Sequence, residues 1–201
     1  MGQIRTICIY CGSSPGKDPA FRAAATRLGE ILAAAGIALV FGGGSGGMMG
    51  AVASAVQAGG GKVIGVIPDF LTGRENVFRG AREVVVTEDM HERKRIMFER
   101  SDAFVALPGG IGTLEELVEQ LTWAQLGRHK KPILIANING FWGGLLGVLD
   151  HMGASGFIHS SAQLTYLVAD DVETILPMLI AAAEPVPEDE KAGERAAVER
   201  L

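Results

Sequence analysis

The chain has 201 residues, of which 48% are hydrophobic and 20% are charged, so it is too apolar and too weakly charged to be disordered overall. Its net charge of −5 argues against broad binding to nucleic acid, which requires a basic face. No apolar run approaches the roughly 18 residues of a membrane span, and the first ten residues resemble a strand rather than a signal peptide. We therefore expect a soluble cytoplasmic protein.

Short apolar segments alternate along the chain with longer segments of helical periodicity. Strands are predicted near residues 4–10, 37–41, 63–67, 83–87, 103–107, 132–136 and 165–168. Helices are predicted near residues 19–35, 47–58, 90–100, 113–126, 141–151 and 172–183, with Gly36 and Gly59 as C-terminal caps. This alternation is typical of an α/β, Rossmann-like, doubly wound and mainly parallel sheet with helices on both faces.

The chain is predicted to form a single nucleotide-binding domain over residues 1–183. Residues 184–201 differ in composition, because they contain two prolines, many acidic residues and few large apolar side chains. We expect this acidic segment to be a flexible tail.

Glycine is unusually frequent, with 28 residues, and it clusters in three loops that each follow a predicted strand. These loops cover residues 11–16, 41–50 and 108–113. Loops that leave the carboxyl ends of parallel strands collect along one edge of the sheet, where ligands bind. A tight turn would explain any single loop, but three such loops favour one site at which backbone N–H groups bind an anion such as phosphate.

Residues 42–47 also match two other glycine patterns. The GxGxxG pattern of dinucleotide-binding proteins is a weak signal here, because this loop follows the second predicted strand rather than the first. The GxSxG pattern would make Ser45 a nucleophile, but its triad would have to combine Asp102 or Asp150 with His159. We consider both interpretations weaker than a phosphate-binding loop.

Cys8 and Cys11 form the only CxxC pair of the chain. Cys8 lies inside the first predicted strand, so the two side chains point to opposite faces and do not suit a redox pair. The histidines show no metal-ligand spacing, and we predict no metal site.

The predicted helix at residues 90–100 places two cations and two methionines on one face, namely Met90, Arg93, Lys94 and Met97. The two cations either reach solvent or are neutralised by an anion. Because the helix begins just after a strand, at the edge where the glycine loops collect, an anion contact is favoured.

The most specific segment is LPGGIGTLEELVEQLTWAQLG at residues 107–127. A strand ends near Pro108, a glycine turn follows, and Thr113 is predicted to be the N-cap in a capping box with Glu116. The residues predicted to contact the core are Leu114, Leu117, Val118 and Leu121. Those predicted on the opposite face, toward a cleft or a partner subunit, are Glu116, Glu119, Gln120 and Trp123.

LPGGIGTLEE, preceded by MHERKRIM and by FGGGSGGMMG, resembles the Lonely Guy (LOG) family. These proteins are cytokinin riboside 5'-monophosphate phosphoribohydrolases, often mislabelled as lysine decarboxylases. The resemblance covers residues 4 to 180. It implies a Rossmann-like homodimer that binds a nucleoside monophosphate, without a cofactor, and cleaves its N-glycosidic bond to give the free base and ribose 5-phosphate.

The resemblance also implies roles for individual residues. By position, Arg93 and Glu116 match the catalytic pair of the family. The positions that match its nucleotide-binding segments are Gly43, Gly44, Ser45, Met90, Lys94, Pro108, Gly109, Gly110, Ile111, Gly112 and Thr113.

These residue types suit that chemistry. Breaking a ribosyl C1'–N bond builds positive charge on the sugar, which a carboxylate such as Glu116 can stabilise while it activates water. A non-catalytic carrier of a nucleotide or a phosphorylated cofactor remains the alternative function, because glycine loops explain binding without turnover. We reject pyridoxal phosphate-dependent decarboxylation, since no lysine is suitably placed after a strand. The sequence leaves open whether the adenine base is plain or N6-substituted.

Overall fold

The structure is a computed structural model that describes residues 4–73, 76–158 and 165–183. The acidic tail predicted at residues 184–201 and the histidine His159 lie outside the described residues. None of the helices within these ranges has the length and apolar content needed to cross a membrane.

Seven parallel strands form one sheet in the order β4-β3-β2-β1-β5-β6-β7. The strands are β1 (Thr6–Tyr10), β2 (Ala38–Phe41), β3 (Val63–Pro68), β4 (Glu83–Thr87), β5 (Ala103–Ala106), β6 (Ile133–Ala136) and β7 (Leu167–Ala169). All seven predicted strands are confirmed. The central strands are buried on both faces, which explains why β2, β3, β5 and β6 are apolar throughout.

The described ranges contain seven α-helices. They are α1 (Pro19–Ala34), α2 (Gly47–Ala58), α3 (Asp69–Thr72), α4 (Met90–Glu99), α5 (Ile111–Gln125), α6 (Gly143–Ala154) and α7 (Val172–Ala182). All six predicted helices are confirmed, whereas the short α3 and a 3-10 helix at Ile138–Gly140 were not predicted. Gly59 is the C-cap of α2, and Gly36 follows the C-cap of α1 with a φ of +68°.

Two apolar layers enclose the sheet. One layer packs α1, α2 and α7 on one face, and the other packs α4, α5 and α6 on the opposite face. The side chains of β1 alternate between the layers, and Cys11, directly after the strand, continues the alternation: Cys8 lies in the second layer and Cys11 in the first. Both thiols are buried and free, so the prediction that they point to opposite faces is confirmed.

The chain reverses its direction across the sheet beside β1. It runs outward from β1 to β4 and then returns to β5, which pairs with β1 through Ile7 and Ala103. At such a switch point the loops after the two neighbouring strands separate and leave a crevice. The loops that follow β1 and β5 are the first and third glycine loops.

Candidate active site

Backbone hydrogen bonds join the three glycine loops at the switch point. The N–H of Gly12 donates to the carbonyl of Pro108 over 3.1 Å. The carbonyl of Gly12 accepts from the N–H groups of Met48 and Met49, at 3.1 and 3.3 Å. The loop after β1 therefore contacts both other loops, and all three meet at one edge of the sheet, as the sequence predicts.

A segment between α3 and β4 holds the second glycine loop in place. The N–H of Ser45 donates to the carbonyl of Asn76, and the N–H of Phe78 donates to the carbonyl of Gly43, both over 2.8 Å. The ring of Phe78 packs edge-on against Phe41 at the end of β2, with 6.0 Å between ring centroids. The backbone of this loop is thus fixed from the side, by a contact that no sequence motif indicates.

The N-terminus of α5 differs from its prediction. The helix begins at Ile111 with Gly110 as its N-cap, and no side chain caps it. Thr113 lies within the first turn and is buried against Gly109, where any side chain would overlap with it. The predicted capping box of Thr113 and Glu116 is therefore wrong, because the extended backbone of Gly110 provides the cap and leaves the first N–H groups without a side-chain partner.

The buried face of α5 was also predicted wrongly in part. Its buried residues are Thr113, Glu116, Leu117, Gln120 and Leu121, while Val118 is exposed. Glu116 and Glu119 of α5 turn toward α4 because its cations lie opposite them. Arg93 pairs with Glu116, and Lys94 pairs with Glu119.

Trp123 does not stand free on an open face of α5. Its ring packs edge-on against Phe98 of α4 at 5.1 Å, and the guanidinium of Arg128 lies 4.7 Å from the ring centroid. The ring is half-buried, so its main contacts lie within this chain.

Arg93 of α4 lies between the glycine loop and α5. Its Nε donates to the carbonyl of Val66 over 3.2 Å, and its Nη1 lies 3.8 Å from the Sδ of Met90. Its Nη2 lies 3.4 Å from Oε1 of Glu116, and both side chains are about one-tenth exposed. A side chain at Gly42 would collide with this guanidinium, so only glycine leaves room for it there.

Lys94 finds its counter-charges within the chain. Its Nζ donates to Oε1 of Glu115 over 2.6 Å and to Oε1 of Glu119 over 2.8 Å. Burial alone would lower the pKa of Lys94, but the hydrogen bonds to the two carboxylates outweigh it and raise that pKa. The anion that the sequence pattern requires is thus present for Lys94, and contact with a ligand stays a prediction.

Glu116 has the most unusual electrostatic surroundings of the site. Burial raises its pKa from 4.5 to about 7, although the positive charge of Arg93 opposes the shift. The neighbouring Glu115 and Glu119 add to the rise, and Lys94 opposes it. A carboxyl group with such a pKa is partly ionised at neutral pH and can both accept and return a proton.

The remaining predicted binding residues lie in the second and third glycine loops and at the start of α4. Met90 begins α4, Gly44 pairs with Val77, and Gly43 has a φ of +80°. Side chains at Gly110 or Gly112 would meet only open space. The exposed members of the set are Ser45, Gly110, Ile111 and Gly112, and the buried ones include Gly43, Gly44 and Pro108.

A cavity of about 740 Å³ lies behind the second glycine loop, between α1 and α2. Ser45 and Gly47 line its mouth, and Arg22 and Thr26 line its α1 side. Arg93 and Glu116 do not line it, so their pair faces a different part of the edge. Within the described ranges, no three His, Cys, Asp or Glu side chains are grouped to hold a metal ion.

The sequence is similar to known enzymes over most of its length. Residues 49–179 match a family model described as possible lysine decarboxylase. A probable cytokinin riboside 5'-monophosphate phosphoribohydrolase of Oryza sativa subsp. japonica is 46% identical over 182 residues, which are 90% of this chain and 79% of the relative. A cytokinin riboside 5'-monophosphate phosphoribohydrolase of Arabidopsis thaliana is 45% identical over 177 residues, 88% of this chain and 82% of the relative.

Solved structures share the fold. The molybdenum cofactor binding protein of Rippkaea orientalis has a TM-score of 0.67 at 23% identity and covers 89% of this chain and 97% of its own. The Moco carrier protein of Chlamydomonas reinhardtii has a TM-score of 0.68 at 23% identity, with 90% and 98% covered. At this identity the similarity establishes the Rossmann-like architecture and no more.

Proposed function

The chain belongs to the family of the cytokinin riboside 5'-monophosphate phosphoribohydrolases, and we propose that it hydrolyses the N-glycosidic bond of adenosine 5'-monophosphates, plain or N6-substituted. The products are the free base and ribose 5-phosphate. The observation that supports this most strongly is the buried pair of Arg93 and Glu116, 3.4 Å apart at the edge where the glycine loops meet.

We assign the chemical step to Glu116. As the C1'–N bond breaks, the ribose becomes positively charged, and a carboxylate beside it stabilises that charge. The raised pKa of Glu116 lets the same group take a proton from the attacking water at neutral pH. Arg93 keeps this carboxylate oriented and contacts oxygens of the sugar phosphate.

We assign the 5'-phosphate to the N-terminus of α5. Gly110 caps the helix without a side chain, so the N–H groups of Ile111, Gly112 and Thr113 are available to an anion. The open space beside Gly110 and Gly112 gives the phosphate access to them. The other residues assigned to substrate binding are Gly43, Gly44, Ser45, Met90, Lys94, Pro108 and Gly109.

The description of the matching family model would call for pyridoxal phosphate bound to a lysine. Lys94 is the lysine beside this site, and its amino group is held by Glu115 and Glu119. Because those contacts raise its pKa, it stays protonated and cannot form a Schiff base readily. The residues present do not fit that cofactor.

The proposal is tested by incubating the protein with AMP or isopentenyladenosine monophosphate and separating the products by chromatography. We expect adenine or its prenylated form to appear together with ribose 5-phosphate. Binding of both nucleotides without release of either base would favour a carrier of a nucleotide or phosphorylated cofactor. Preference for one nucleotide identifies the substrate.

We further propose that the protein is a homodimer. None of the residues of α6 is buried in the single chain, although the helix is rich in apolar side chains. Exposed apolar residues on and just after α5 and in the α6 region include Val118, Leu126, Val148, Met152 and Phe157. A surface of this kind is usually covered by a partner. Light scattering should give twice 21.1 kDa for the wild type, and Val148→Asp should give a monomer.

A further inference from the structure

Gln120 of α5 is a fully buried polar side chain without a partner in the described part of the chain. It is 1% exposed, and neither its Nε2 nor its Oε1 makes a hydrogen bond there. Its backbone carbonyl is engaged by Nε2 of His129 at 3.3 Å, so only the side chain is unsatisfied. Burying an amide costs free energy unless it is hydrogen-bonded, which makes this side chain a candidate for a role beyond packing.

Gln120 stands one helical turn after Glu116, on the same buried row of α5. Residues four apart on a helix have adjacent side chains. Helical side chains also lean toward the N-terminus, over the preceding turn. These two rules place the amide of Gln120 on the side of α5 where the carboxyl group of Glu116 lies, although the two groups are not hydrogen-bonded in the structure.

Glu116 is short of hydrogen-bond donors. Among the described residues its ion-pair partner is Arg93, and the 3.4 Å between Nη2 and Oε1 exceeds the roughly 2.7–2.9 Å of a good charge-assisted hydrogen bond. Lys94 is directed to Glu115 and Glu119 instead. Glu116 thus has one long ion-pair contact and lies one turn from a buried amide that makes no hydrogen bond. Among the described residues of α5, Oε2 of Glu119 is a further buried acceptor without a partner.

We propose that Gln120 is a positioning residue for Glu116, whose amide N–H donates to the carboxylate when it is ionised. This bond would hold the carboxylate in one orientation beside Arg93. It would also favour the charged form over the protonated form. Its value for turnover rests on the proposed hydrolase function, but the contact itself does not.

Other charged and titratable groups also affect the pKa of Glu116, and they must be the same in the wild type and in any variant compared with it. The titratable and charged groups around it are Arg93 and Lys94 of α4, Glu115 and Glu119 of α5, Cys8 and Tyr10 of β1, and Cys11 directly after β1. Burial, followed by the nearby Cys8, raises the pKa of Tyr10 well above its usual value, so its hydroxyl stays protonated. Oε2 of Glu119, which is buried without a hydrogen-bond partner, is the competing acceptor for the Gln120 amide.

The test is a carbon-13 NMR titration of the Glu116 carboxyl group in the full-length protein, wild type against Gln120→Met. Methionine keeps the length of the side chain and removes only its amide. We expect the pKa of Glu116 to rise by about one unit in Gln120→Met, because a hydrogen bond to the charged form is lost. The matched control Gln125→Met changes the same residue type at the last position of α5 and should leave that pKa unchanged.

Turnover gives an independent readout. In Gln120→Met, kcat should fall about tenfold with KM for AMP unchanged, and the pH of half-maximal kcat should move upward with the pKa. An unchanged Glu116 titration in the folded variant would overturn the proposal, even if kcat fell, since that pattern indicates packing or a bond to Glu119. Should Gln120→Met not fold, Gln120→Leu provides the same comparison. If the wild type releases no base, the hydrolase function fails while the titration still decides the contact.

Discussion

Replacing Glu116 by glutamine separates a structural role of this residue from a chemical one. Glutamine has the same shape but cannot ionise, accept a proton or stabilise a cationic sugar. Since the structure excludes the capping box, the substitution removes no cap from α5. We expect the protein to gain stability near neutral pH and to lose turnover at the same time.

The gain in stability follows from the raised pKa. The folded protein retains a proton on Glu116 up to about pH 7, whereas the unfolded chain releases it near 4.5. The stability associated with this group is therefore complete below pH 4.5 and is lost as the pH rises through 7. The difference in pKa corresponds to about 3 kcal/mol of unfolding free energy above pH 8, or about 6 to 12 °C in melting temperature for a chain of this size.

Urea denaturation at pH 4 and pH 8 measures this difference. Glu116→Gln should match the wild type at pH 4 and exceed it at pH 8, while its turnover of AMP should fall about a hundredfold or more. The control is Glu99→Gln, which removes an exposed carboxylate at the end of α4 and should leave turnover and stability at both pH values unchanged.

Two results would refute this reasoning. An equal stability difference at both pH values would show that Glu116 does not titrate between them. Near-normal turnover in Glu116→Gln would remove the carboxylate from the mechanism and leave the carrier as the better function.

The other predictions concern three further positions. Gly42→Ala should displace the guanidinium of Arg93 and lower kcat at least tenfold. The control Gly73→Ala, whose new side chain meets only open space, should leave kcat unchanged. Equal kcat values for the two variants in steady-state assays would contradict the clash. Gly110→Val should keep the fold but abolish the rise in melting temperature that AMP causes, and a preserved shift would move the phosphate elsewhere. Burial lowers the pKa of His129 to about 4, so protonation favours the unfolded chain as the pH falls. Between pH 6.5 and pH 4 the wild type should therefore lose about 3 kcal/mol of unfolding free energy relative to His129→Gln. Urea unfolding at both pH values measures this loss.

The elements of the fold were predictable because their signals are local. Segments such as 38–41 and 133–136 are apolar throughout and have the length of buried strands, and the longer helices show the 3.6-residue period. Helix α3 and the 3-10 helix at Ile138–Gly140 are too short to show a period. The latter also depends on Asn139, whose φ of +51° and bond to Asp18 are set by tertiary contacts.

The site was predictable in its residue types but less so in its contacts. The glycine loops and the charged pair were identified from motifs, and Arg93 and Glu116 do come together. The capping-box pattern at Thr113 was present but misleading, because the choice of cap depends on how the preceding glycines fold over the strand end. The partners of Lys94 lie more than 20 residues away, a distance at which no local pattern specifies pairing.

The two thiols at β1 offer a built-in reporter of unfolding. Cys8, inside the central strand, and Cys11, directly after it, are the only cysteines of the chain, and they are buried in the two opposite apolar layers. A thiol reagent can reach either one only when the helical layer over it detaches. The rate of labelling at Cys8 thus follows the opening of the α4–α5 side, and the rate at Cys11 follows the opening of the α1–α2 side. Labelling rates of the two single Cys→Ala variants would show which half of the molecule opens first.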